Sequence, residues 1–203
     1  MHKGYRETGL QHGYSPDSYR DFHKLNINKQ MKRLIVDMDD VLADATGQFI
    51  NYYERDFGVR VERSVLNGKE EGEGFPDNHS RLRRYPYEIN FFRTMVANEH
   101  SIEVMEKLNR KYEIFIVSAA MEFPQSLTEK LEWLGEFFPF LSWKQFVFCG
   151  SKAVVYGDYM IDDLPHNLEK FNGHKFIFTA PHNTHINRFE RLSNWKEIGE
   201  RLL

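Results

Sequence analysis

Short apolar runs that each stop at a polar residue recur along the chain, and they limit its possible folds more than any other feature. The first run, Leu34–Val36, is too short for a buried helix and ends abruptly at Asp37. A brief, fully apolar segment of this kind is typical of a strand buried on both faces of a parallel sheet. Similar runs follow with helical patterns among them, so the sequence predicts an α/β fold with five parallel strands. The later strands are predicted at Glu113–Val117, Gln145–Phe148, Tyr159–Ile161 and Lys175–Phe178.

The spacing of apolar residues also divides the chain into three parts. Residues 1–30 are polar and lack a regular apolar period, so we interpret them as an N-terminal extension that is either disordered or docked on the surface. Residues 45–99 begin with a helical pattern that reaches Phe57 and continue with glycine, proline and arginine, which indicates an insertion over the sheet edge. Residues 31–44 and 100–203 then supply the sheet and its flanking helices.

Charge and cysteine content exclude several classes of protein. With 27 Lys and Arg against 30 Asp and Glu, the formal net charge is −3, which offers no broad basic surface for a nucleic-acid polymer. The single cysteine, Cys149, cannot form an intrachain disulfide, as is typical of a reducing compartment. No stretch reaches the roughly 18 apolar residues of a membrane span, and residues 1–30 lack the apolar core of a signal peptide. We therefore expect a cytoplasmic protein without a membrane partner.

Charged and polar side chains stand at the ends of the predicted strands. Asp37, Asp39 and Asp40 follow the first strand, and the carboxyl ends of parallel strands meet at one edge of a sheet. Like charges about 4 Å apart cost on the order of 4 kcal/mol per pair at an effective dielectric near 20, so a cation must share this edge. Oxygen ligands without His or Cys fit Mg²⁺, and Mg²⁺ beside a lysine makes a site for a phosphoryl group. The other members of the cluster are Ser118 after the second strand, Lys152 after the third, and Asp162 and Asp163 after the fourth.

The same residues fall into four ordered motifs. The segment Asp37–Asp44 reads DMDDVLAD, Ser118 ends the second strand, Lys152 follows the third, and Gly157–Asp163 reads GDYMIDD. In type and order they resemble the four motifs of the haloacid dehalogenase superfamily, and within it those of the 5′(3′)-deoxyribonucleotidases. The likeness extends over residues 31–203. An ordered set of four motifs is far more specific than one isolated pair of aspartates.

The resemblance implies a Rossmann-like core with residues 45–99 as a small helical cap, and a Mg²⁺-dependent phosphomonoesterase that hydrolyses (deoxy)nucleoside monophosphates. By position, Asp37 would be the nucleophile that forms an aspartyl phosphate. Asp39 would protonate the leaving alkoxide and then activate water, while Ser118 and Lys152 would bind the phosphate. The metal would be held by the Asp37 carboxylate, the Asp39 main-chain carbonyl and Asp163, with Asp162 behind them or acting through water.

Two positions depart from the nucleotidase pattern and leave other substrates open. Ala45 stands where an aromatic residue of the base-binding wall is expected, and Ala119 replaces a second hydroxyl side chain. The alternative is a phosphatase of the same superfamily that acts on another small phosphorylated metabolite, whose extra charge the arginines of the insertion would meet. A homodimer also stays open. The aromatic residues on which a base could stack are Tyr52, Phe75, Tyr85, Phe91 and Phe92, and the arginines are Arg81, Arg83 and Arg84.

Two further interpretations can be weighed from the sequence. His182 and His185 follow Pro181 at a spacing that metal ligands use, but without a nearby cysteine or a third ligand we expect a polar surface loop. A signalling receiver domain also gathers acids, a lysine and Mg²⁺ at strand ends. In receivers the lysine follows the acids, whereas here the pair Asp162–Asp163 follows Lys152, so the order disfavours this class.

Overall fold

In the part of the chain that the structure describes, six strands form one parallel sheet. The computed structural model describes residues 31–70, 72–76 and 79–203, and the expectation for residues 1–30 lies outside this part. The strands are β1 Arg33–Val36, β2 Glu113–Ser118, β3 Phe146–Phe148, β4 Tyr159–Asp162, β5 His174–Phe178 and β6 Glu190–Leu192. Their order in the sheet is β3-β2-β1-β4-β5-β6, and every neighbouring pair is parallel.

The predicted α/β architecture is confirmed, but the prediction of five strands is wrong, because β6 is a sixth strand. β6 has only three residues, and two of them, Glu190 and Arg191, are charged, so the sequence contains no apolar run to indicate it. It pairs with β5 at the edge of the sheet, with Phe176 opposite Glu190. Short strands with charged side chains are typical of sheet edges, where they oppose pairing with other chains.

The helices begin and end at residues suited to those positions. Asp44 caps α1, since its carboxylate accepts a hydrogen bond from the Gly47 N–H at 2.9 Å. The same helix ends at Gly58, whose φ of 65° lies in the left-handed region that glycine adopts without strain. Within the described residues, no helix is long and apolar enough to cross a membrane. The helices are α1 Ala45–Phe57, α2 His79–Leu82, α3 Ser101–Asn109, α4 Ser126–Phe137, α5 Pro165–Lys170 and α6 Trp195–Leu202.

Strand β1 lies in the interior and contributes to apolar clusters on both faces of the sheet. Leu34 and Val36 belong to the larger cluster and Ile35 to the smaller one, as expected when alternate residues point to opposite faces. Tyr85 and Phe91, which lie between α1 and α3, also join the larger cluster. The segment predicted as an insertion therefore shares its core with the sheet, and residues 31–203 form one compact unit.

Candidate active site

Asp37, Ser118 and Asp162 lie at the carboxyl ends of β1, β2 and β4, which are adjacent in the sheet. The main-chain N–H of Asp37 donates to the Ile161 carbonyl at 2.9 Å, so the pairing of β1 with β4 continues into the motif. The three side chains are between 1% and 5% exposed. The parallel sheet thus brings together residues that are up to 125 positions apart in the sequence.

A tight loop turns the chain after Asp37. The Met38 carbonyl accepts a hydrogen bond from the Ala43 N–H at 2.9 Å. Asp40 has a φ of 54°, a left-handed conformation that aspartate adopts more readily than most residues. Its carboxylate accepts hydrogen bonds from the Thr46 N–H at 2.8 Å and from the Thr46 hydroxyl at 2.7 Å. These bonds keep the loop folded over the end of β1.

Lys152 bridges two carboxylates that come from different strands. Its Nζ lies 2.6 Å from Asp37 Oδ1 and 2.6 Å from Asp162 Oδ2, and all three side chains are buried. Burial raises the pKa of Asp37 well above its usual value, with Lys152 opposing the rise and the neighbouring carboxylates adding to it. Burial lowers the pKa of Lys152, but Asp162 and Asp37 raise it by more. Lys152 is therefore a fixed positive charge beside the predicted nucleophile.

A second buried lysine, Lys130 of α4, reaches the same edge of the sheet. Its Nζ contacts Asp39 Oδ2 and lies 2.9 Å from Ser118 Oγ. The ammonium also lies 4.4 Å from the centroid of the Phe92 ring, and Lys130 is only 1% exposed. Asp39 and Ser118, which the sequence assigned to separate roles, are thus joined by one ammonium group.

Sequence reasoning missed Lys130, although a signal for it exists. A lysine within a helix usually extends to solvent, so its type alone indicates nothing. Trp133 and Leu134 follow it at positions i+3 and i+4, however, and both lie on the buried face of α4. A lysine on the apolar face of a helix requires an anion within reach of its ammonium group, and Asp39, whose side chain is 34% exposed, is that anion.

His182 lies against Asp163 rather than in solvent. Its Nε2 is 3.1 Å from Asp163 Oδ2, and its side chain is 25% exposed. Burial lowers the pKa of His182, but the hydrogen bond to Asp163 and the charges of Asp163 and Asp40 raise it to about 9. Burial and the charge of Asp163 also raise the pKa of Asp40 to about 6. The expectation of a polar surface loop is therefore wrong for His182, while His185 is exposed as expected.

Asp162 is surrounded by hydrogen-bond donors. Besides Lys152, its carboxylate accepts a bond from the Leu164 N–H at 2.9 Å and bonds from the Asn167 side-chain amide at 3.1 and 3.2 Å. Both of its oxygens are therefore engaged. Asp162 is better suited to holding Lys152 than to binding a metal ion directly.

Carboxylates outnumber ammonium groups at this edge of the sheet. Among the described residues, the carboxylates are those of Asp37, Asp39, Asp40, Asp162 and Asp163, and the ammonium groups are those of Lys130 and Lys152. Oxygens of Asp37, Asp162 and Asp163 all lie within 4.8 Å of one another. Asp39 Oδ1 is buried with no hydrogen-bond partner in the described part of the chain. Excess negative charge on converging oxygen ligands fits a hard divalent cation.

Most of the aromatic residues expected to meet a base are buried within residues 45–99. The buried ones are Phe75, Tyr85, Phe91 and Phe92, and Tyr52 packs edge to face on Phe91 at 5.1 Å. Tyr87, in the same segment, is 59% exposed. Its ring lies 5.1 Å from that of Phe123, which in turn lies 5.8 Å from Phe92, below Lys130. These contacts form a row of rings that runs from the exposed Tyr87 to Phe92, against which the Lys130 ammonium lies.

The remaining positions noted in the sequence have separate places. Arg81 pairs with Asp56 at 2.7 Å and with Glu88 at 3.2 Å, both within the insertion. Arg83 and Arg84 are exposed. The departures from the nucleotidase pattern are Ala45, which is buried at the start of α1, and Ala119, which is exposed directly after β2.

Comparison with known proteins identifies the family. The family model described as 5′ nucleotidase, deoxy (pyrimidine), cytosolic type C protein matches residues 30–203. A 5′(3′)-deoxyribonucleotidase of Bacillus subtilis is 40% identical over 177 residues, which cover 85% of this chain and 100% of that protein. The chain belongs to this nucleotidase family. A relative from Staphylococcus aureus is 41% identical over 174 residues, which cover 85% of this chain and 96% of that protein.

Solved structures agree with the nucleotidase family's fold. A haloacid dehalogenase-like hydrolase from Streptococcus pneumoniae, 14% identical, matches with a TM-score of 0.51 over 85% of this chain and 99% of that chain. A hydrolase of the same type from Bacillus subtilis, solved bound to magnesium, is 12% identical and also has a TM-score of 0.51, over 86% and 99%. Such identities show the fold alone. Together with the nucleotidase family, they confirm the predicted superfamily and the predicted class of hydrolases acting on phosphomonoesters.

Proposed function

We propose that this protein is a Mg²⁺-dependent phosphatase that hydrolyses deoxyribonucleoside monophosphates through an aspartyl phosphate on Asp37. The observation that carries the proposal is the position of Asp37, whose carboxylate meets Lys152 at 2.6 Å among converging acids from β1 and β4. Relatives named 5′(3′)-deoxyribonucleotidase support the choice of substrate. The cap formed by residues 45–99, a cytoplasmic location and a homodimer stay predictions.

Asp37 has the surroundings of a nucleophile. Its Oδ1 accepts hydrogen bonds from the Met38 N–H at 2.7 Å and from Lys152 at 2.6 Å. We assign the attack on phosphorus to its other oxygen, Oδ2. Lys152 reduces the repulsion between this carboxylate and the phosphoryl oxygens, which otherwise keeps two anions apart. When Oδ2 bonds to phosphorus, the bond from phosphorus to the ester oxygen breaks, and the leaving alkoxide needs a proton.

We assign the transfer of that proton to Asp39. It follows the nucleophile by two residues, and Lys130 holds its Oδ2 while Ser118 contacts the same ammonium. In the first step Asp39 donates a proton to the alkoxide, and in the second it takes one from the water that attacks phosphorus. The second step breaks the acyl phosphate bond, releases inorganic phosphate and restores Asp37. Ser118 and Lys130 face the position where phosphoryl oxygens would lie.

The donor set fits Mg²⁺, which binds oxygen ligands and keeps several waters. Asp37, Asp163 and the main-chain carbonyl of Asp39 would hold the ion, while Asp162 holds Lys152 in place. When bound, Mg²⁺ would neutralise charge on the phosphoryl oxygens.

The row of rings from Tyr87 through Phe123 to Phe92 supports a nucleotide over a plain sugar phosphate. Tyr87 and Phe123 pack edge to face at 5.1 Å, and Phe123 leads to Phe92 below Lys130. Any nucleobase can stack on such a ring, since every base has an aromatic face. We assign the base to Tyr87, which compensates for the small side chain of Ala45.

The proposal predicts a defined pattern of phosphate release. On a panel of 5′- and 3′-deoxyribonucleotides, ribonucleotides and sugar phosphates, deoxyribonucleoside monophosphates should give the highest kcat/KM. Asp37→Asn should lose activity by several orders of magnitude and keep the fold, because asparagine still accepts the bond from Lys152. Excess chelator should abolish activity, and added Mg²⁺ should restore it.

Asp158→Asn is the matched control. The Asp158 carboxylate accepts a bond from the Arg33 N–H at 2.7 Å, at the opposite end of the strands. This variant should keep wild-type turnover. Phosphate release by Asp37→Asn at the wild-type rate would contradict the mechanism. Full activity in excess chelator would show that catalysis does not need a metal ion. A clear preference for sugar phosphates would favour the alternative of another small phosphorylated metabolite.

A substitution at Tyr87 tests the nucleotide separately from the chemistry. Loss of one stacking ring costs about 1–3 kcal/mol, or roughly 5- to 150-fold. Tyr87→Ala should therefore lower kcat/KM by that factor for a deoxyribonucleotide and leave kcat/KM for deoxyribose 5-phosphate, which has no base, unchanged. The control is Trp143→Ala, because Trp143 is also an open aromatic residue, at 69% exposure, but it precedes β3 and so lies at the amino ends of the strands. Equal losses on both substrates would refute the assignment.

A further inference from the structure

We propose that the turn Pro181–Asn183 is a positioning clamp for Asp163, in which His182 orients the carboxylate and Asn183 holds the main-chain carbonyl so that the aspartate is ready for a divalent cation. The inference rests on the proposed function, because it takes Asp163 as a metal ligand. His182 and Asn183 follow β5, whereas Asp163 follows β4, so the clamp joins two neighbouring strand ends.

The hydrogen-bond geometry assigns His182 the role of a donor. Its Nε2 lies 3.1 Å from Asp163 Oδ2 and 3.3 Å from the Asp163 main-chain oxygen. Both oxygens can only accept, so Nε2 must carry the proton. A protonated ring nitrogen has no lone pair for a metal ion. His182 therefore acts through Asp163 and is a positioning residue, not a ligand.

Asn183 fixes the main chain of the same aspartate. Its side-chain amide donates to the Asp163 carbonyl at 2.8 Å and to the Phe178 carbonyl at 2.7 Å, and the residue is fully buried. Both amide hydrogens are thus used. The end of β4 is bound to the end of β5 through one side chain, which leaves the Asp163 backbone little freedom to rotate.

Arg191 of β6 supports the clamp from the edge strand. Its guanidinium donates to Asn183 Oδ1 at 2.9 Å, to the Asn183 carbonyl at 2.9 Å and to the Ile186 carbonyl at 2.5 Å. Because β6 pairs with β5 in parallel, Arg191 is itself held by the sheet. The three side chains His182, Asn183 and Arg191 therefore form one connected network behind Asp163. Such outer partners typically change metal affinity about 10–100-fold when removed.

A direct metal–histidine bond is the competing interpretation of the same residues. Atoms of Asp40, Asp163 and His182 also lie within 4.8 Å of one another. A site with one nitrogen and two oxygen ligands would favour Zn²⁺ or another late transition metal over Mg²⁺. The clamp, in contrast, affects every ion that Asp163 binds. Titrations with Mg²⁺ and with Zn²⁺ therefore distinguish the clamp from direct ligation by His182.

Titration calorimetry of the metal-stripped, full-length protein with MgCl₂ tests the clamp. We expect His182→Ala to bind Mg²⁺ about 10–100-fold more weakly, and His182→Gln to return to within a few-fold of wild type, because the glutamine amide can donate to Asp163. Saturating Mg²⁺ should restore most of the turnover of His182→Ala. The matched control is His185→Ala, because His185 lies on the same loop and is exposed. It should bind Mg²⁺ like wild type.

The outcomes distinguish the clamp from the proposed function. If the wild-type protein binds no Mg²⁺, the proposed metal site is refuted, and the clamp is refuted with it. If wild type binds Mg²⁺ and His182→Ala binds it equally well, only the clamp is refuted. A loss confined to ZnCl₂ titrations would overturn the clamp in favour of direct ligation. His182→Leu, which fills most of the space of the ring but cannot donate, decides the question if His182→Ala does not fold.

Discussion

Two buried lysines among the described residues bring positive charge to the candidate site, and each depends on its acidic partners. Lys152 contacts Asp37 and Asp162, while Lys130 contacts Asp39 and Ser118. An unpaired ammonium in the interior costs several kcal/mol, so neither lysine could stay buried alone. Under the proposed mechanism, Lys152 pairs with the nucleophile Asp37, and Lys130 pairs with Asp39, the acid and base. Loss of Lys152 should therefore affect the attack on phosphorus, whereas loss of Lys130 should affect proton transfer by Asp39.

Replacement of Lys130 by methionine tests whether its ammonium group orients Asp39. Methionine has a similar length and keeps the packing of α4, but Asp39 then loses the ammonium that orients it. Since misplaced acid–base catalysis costs about 10²–10⁴-fold, kcat should fall by that factor while the melting temperature stays close to wild type. Steady-state kinetics and thermal denaturation measure both quantities.

Lys107→Met is the control for a lysine lost from a helix, because Lys107 is exposed on α3. It should retain wild-type kcat. If Lys130→Met also retained wild-type kcat within about threefold, a factor worth only about 0.7 kcal/mol, the role of Lys130 would be structural only.

Site residues at the ends of strands could be predicted from the sequence. Site residues that reach the same edge of the sheet from other elements could not. Asp37, Ser118 and Asp162 follow apolar runs, and parallel strands carry their ends to one edge, so order along the chain predicts proximity. Lys130 and His182 reach the same edge from a helix and a turn. Their approach depends on how those elements pack, which strand order alone does not determine.

At the scale of elements, α4 connects residues 90–93 to the candidate site. Glu129 is buried and accepts hydrogen bonds from three main-chain N–H groups, those of Asn90 at 2.7 Å, Phe92 at 3.0 Å and Arg93 at 3.1 Å. The next residue in the helix is Lys130, which lies over the Phe92 ring. One turn of α4 therefore fixes both the returning chain of the insertion and the lysine beside Asp39.

Loss of the Glu129 carboxylate should loosen this connection. Glu129→Ala leaves buried N–H groups without acceptors, which costs about 1–3 kcal/mol for an unsatisfied buried group. We expect the free energy of unfolding, measured by urea denaturation, to fall by at least that amount. Glu132→Ala on the same helix is the control, because its ion pair with Arg93 is exposed and worth about 0–1 kcal/mol. Equal effects of the two substitutions would show that Glu129 does not anchor the segment.

Element prediction succeeded where an element carries its own pattern. The helix predicted up to Phe57 is α1, which ends at that residue and has Asp44 and Gly58 as its caps. Strand β6 has no such pattern, because its stability comes from pairing with β5 and from the network around Arg191. Only the assembled sheet makes that short charged segment a strand.

At the scale of the whole molecule, the fold concentrates negative charge at one edge of the sheet. Burial and the neighbouring carboxylates raise the pKa of Asp37 and of Asp162, which means that their ionised forms destabilise the folded protein. Asp37 and Asp163 lie 126 positions apart, so only complete folding brings them together. A cation bound there therefore stabilises the folded chain and not the unfolded one.

This linkage predicts opposite effects of Asp37→Asn with and without Mg²⁺. Without metal, the variant should unfold at a temperature equal to or above that of wild type, because it removes a repelled charge and keeps the acceptor for Lys152. With Mg²⁺ at 100 times its dissociation constant, wild type should gain about 2.7 kcal/mol, whereas Asp37→Asn should gain much less. Thermal denaturation in chelator and in MgCl₂ gives both comparisons. Asp158→Asn, at the other end of the strands, should respond to Mg²⁺ as wild type does. An undiminished Mg²⁺ response in Asp37→Asn would mean that any ion that binds lies away from the acids at the strand ends.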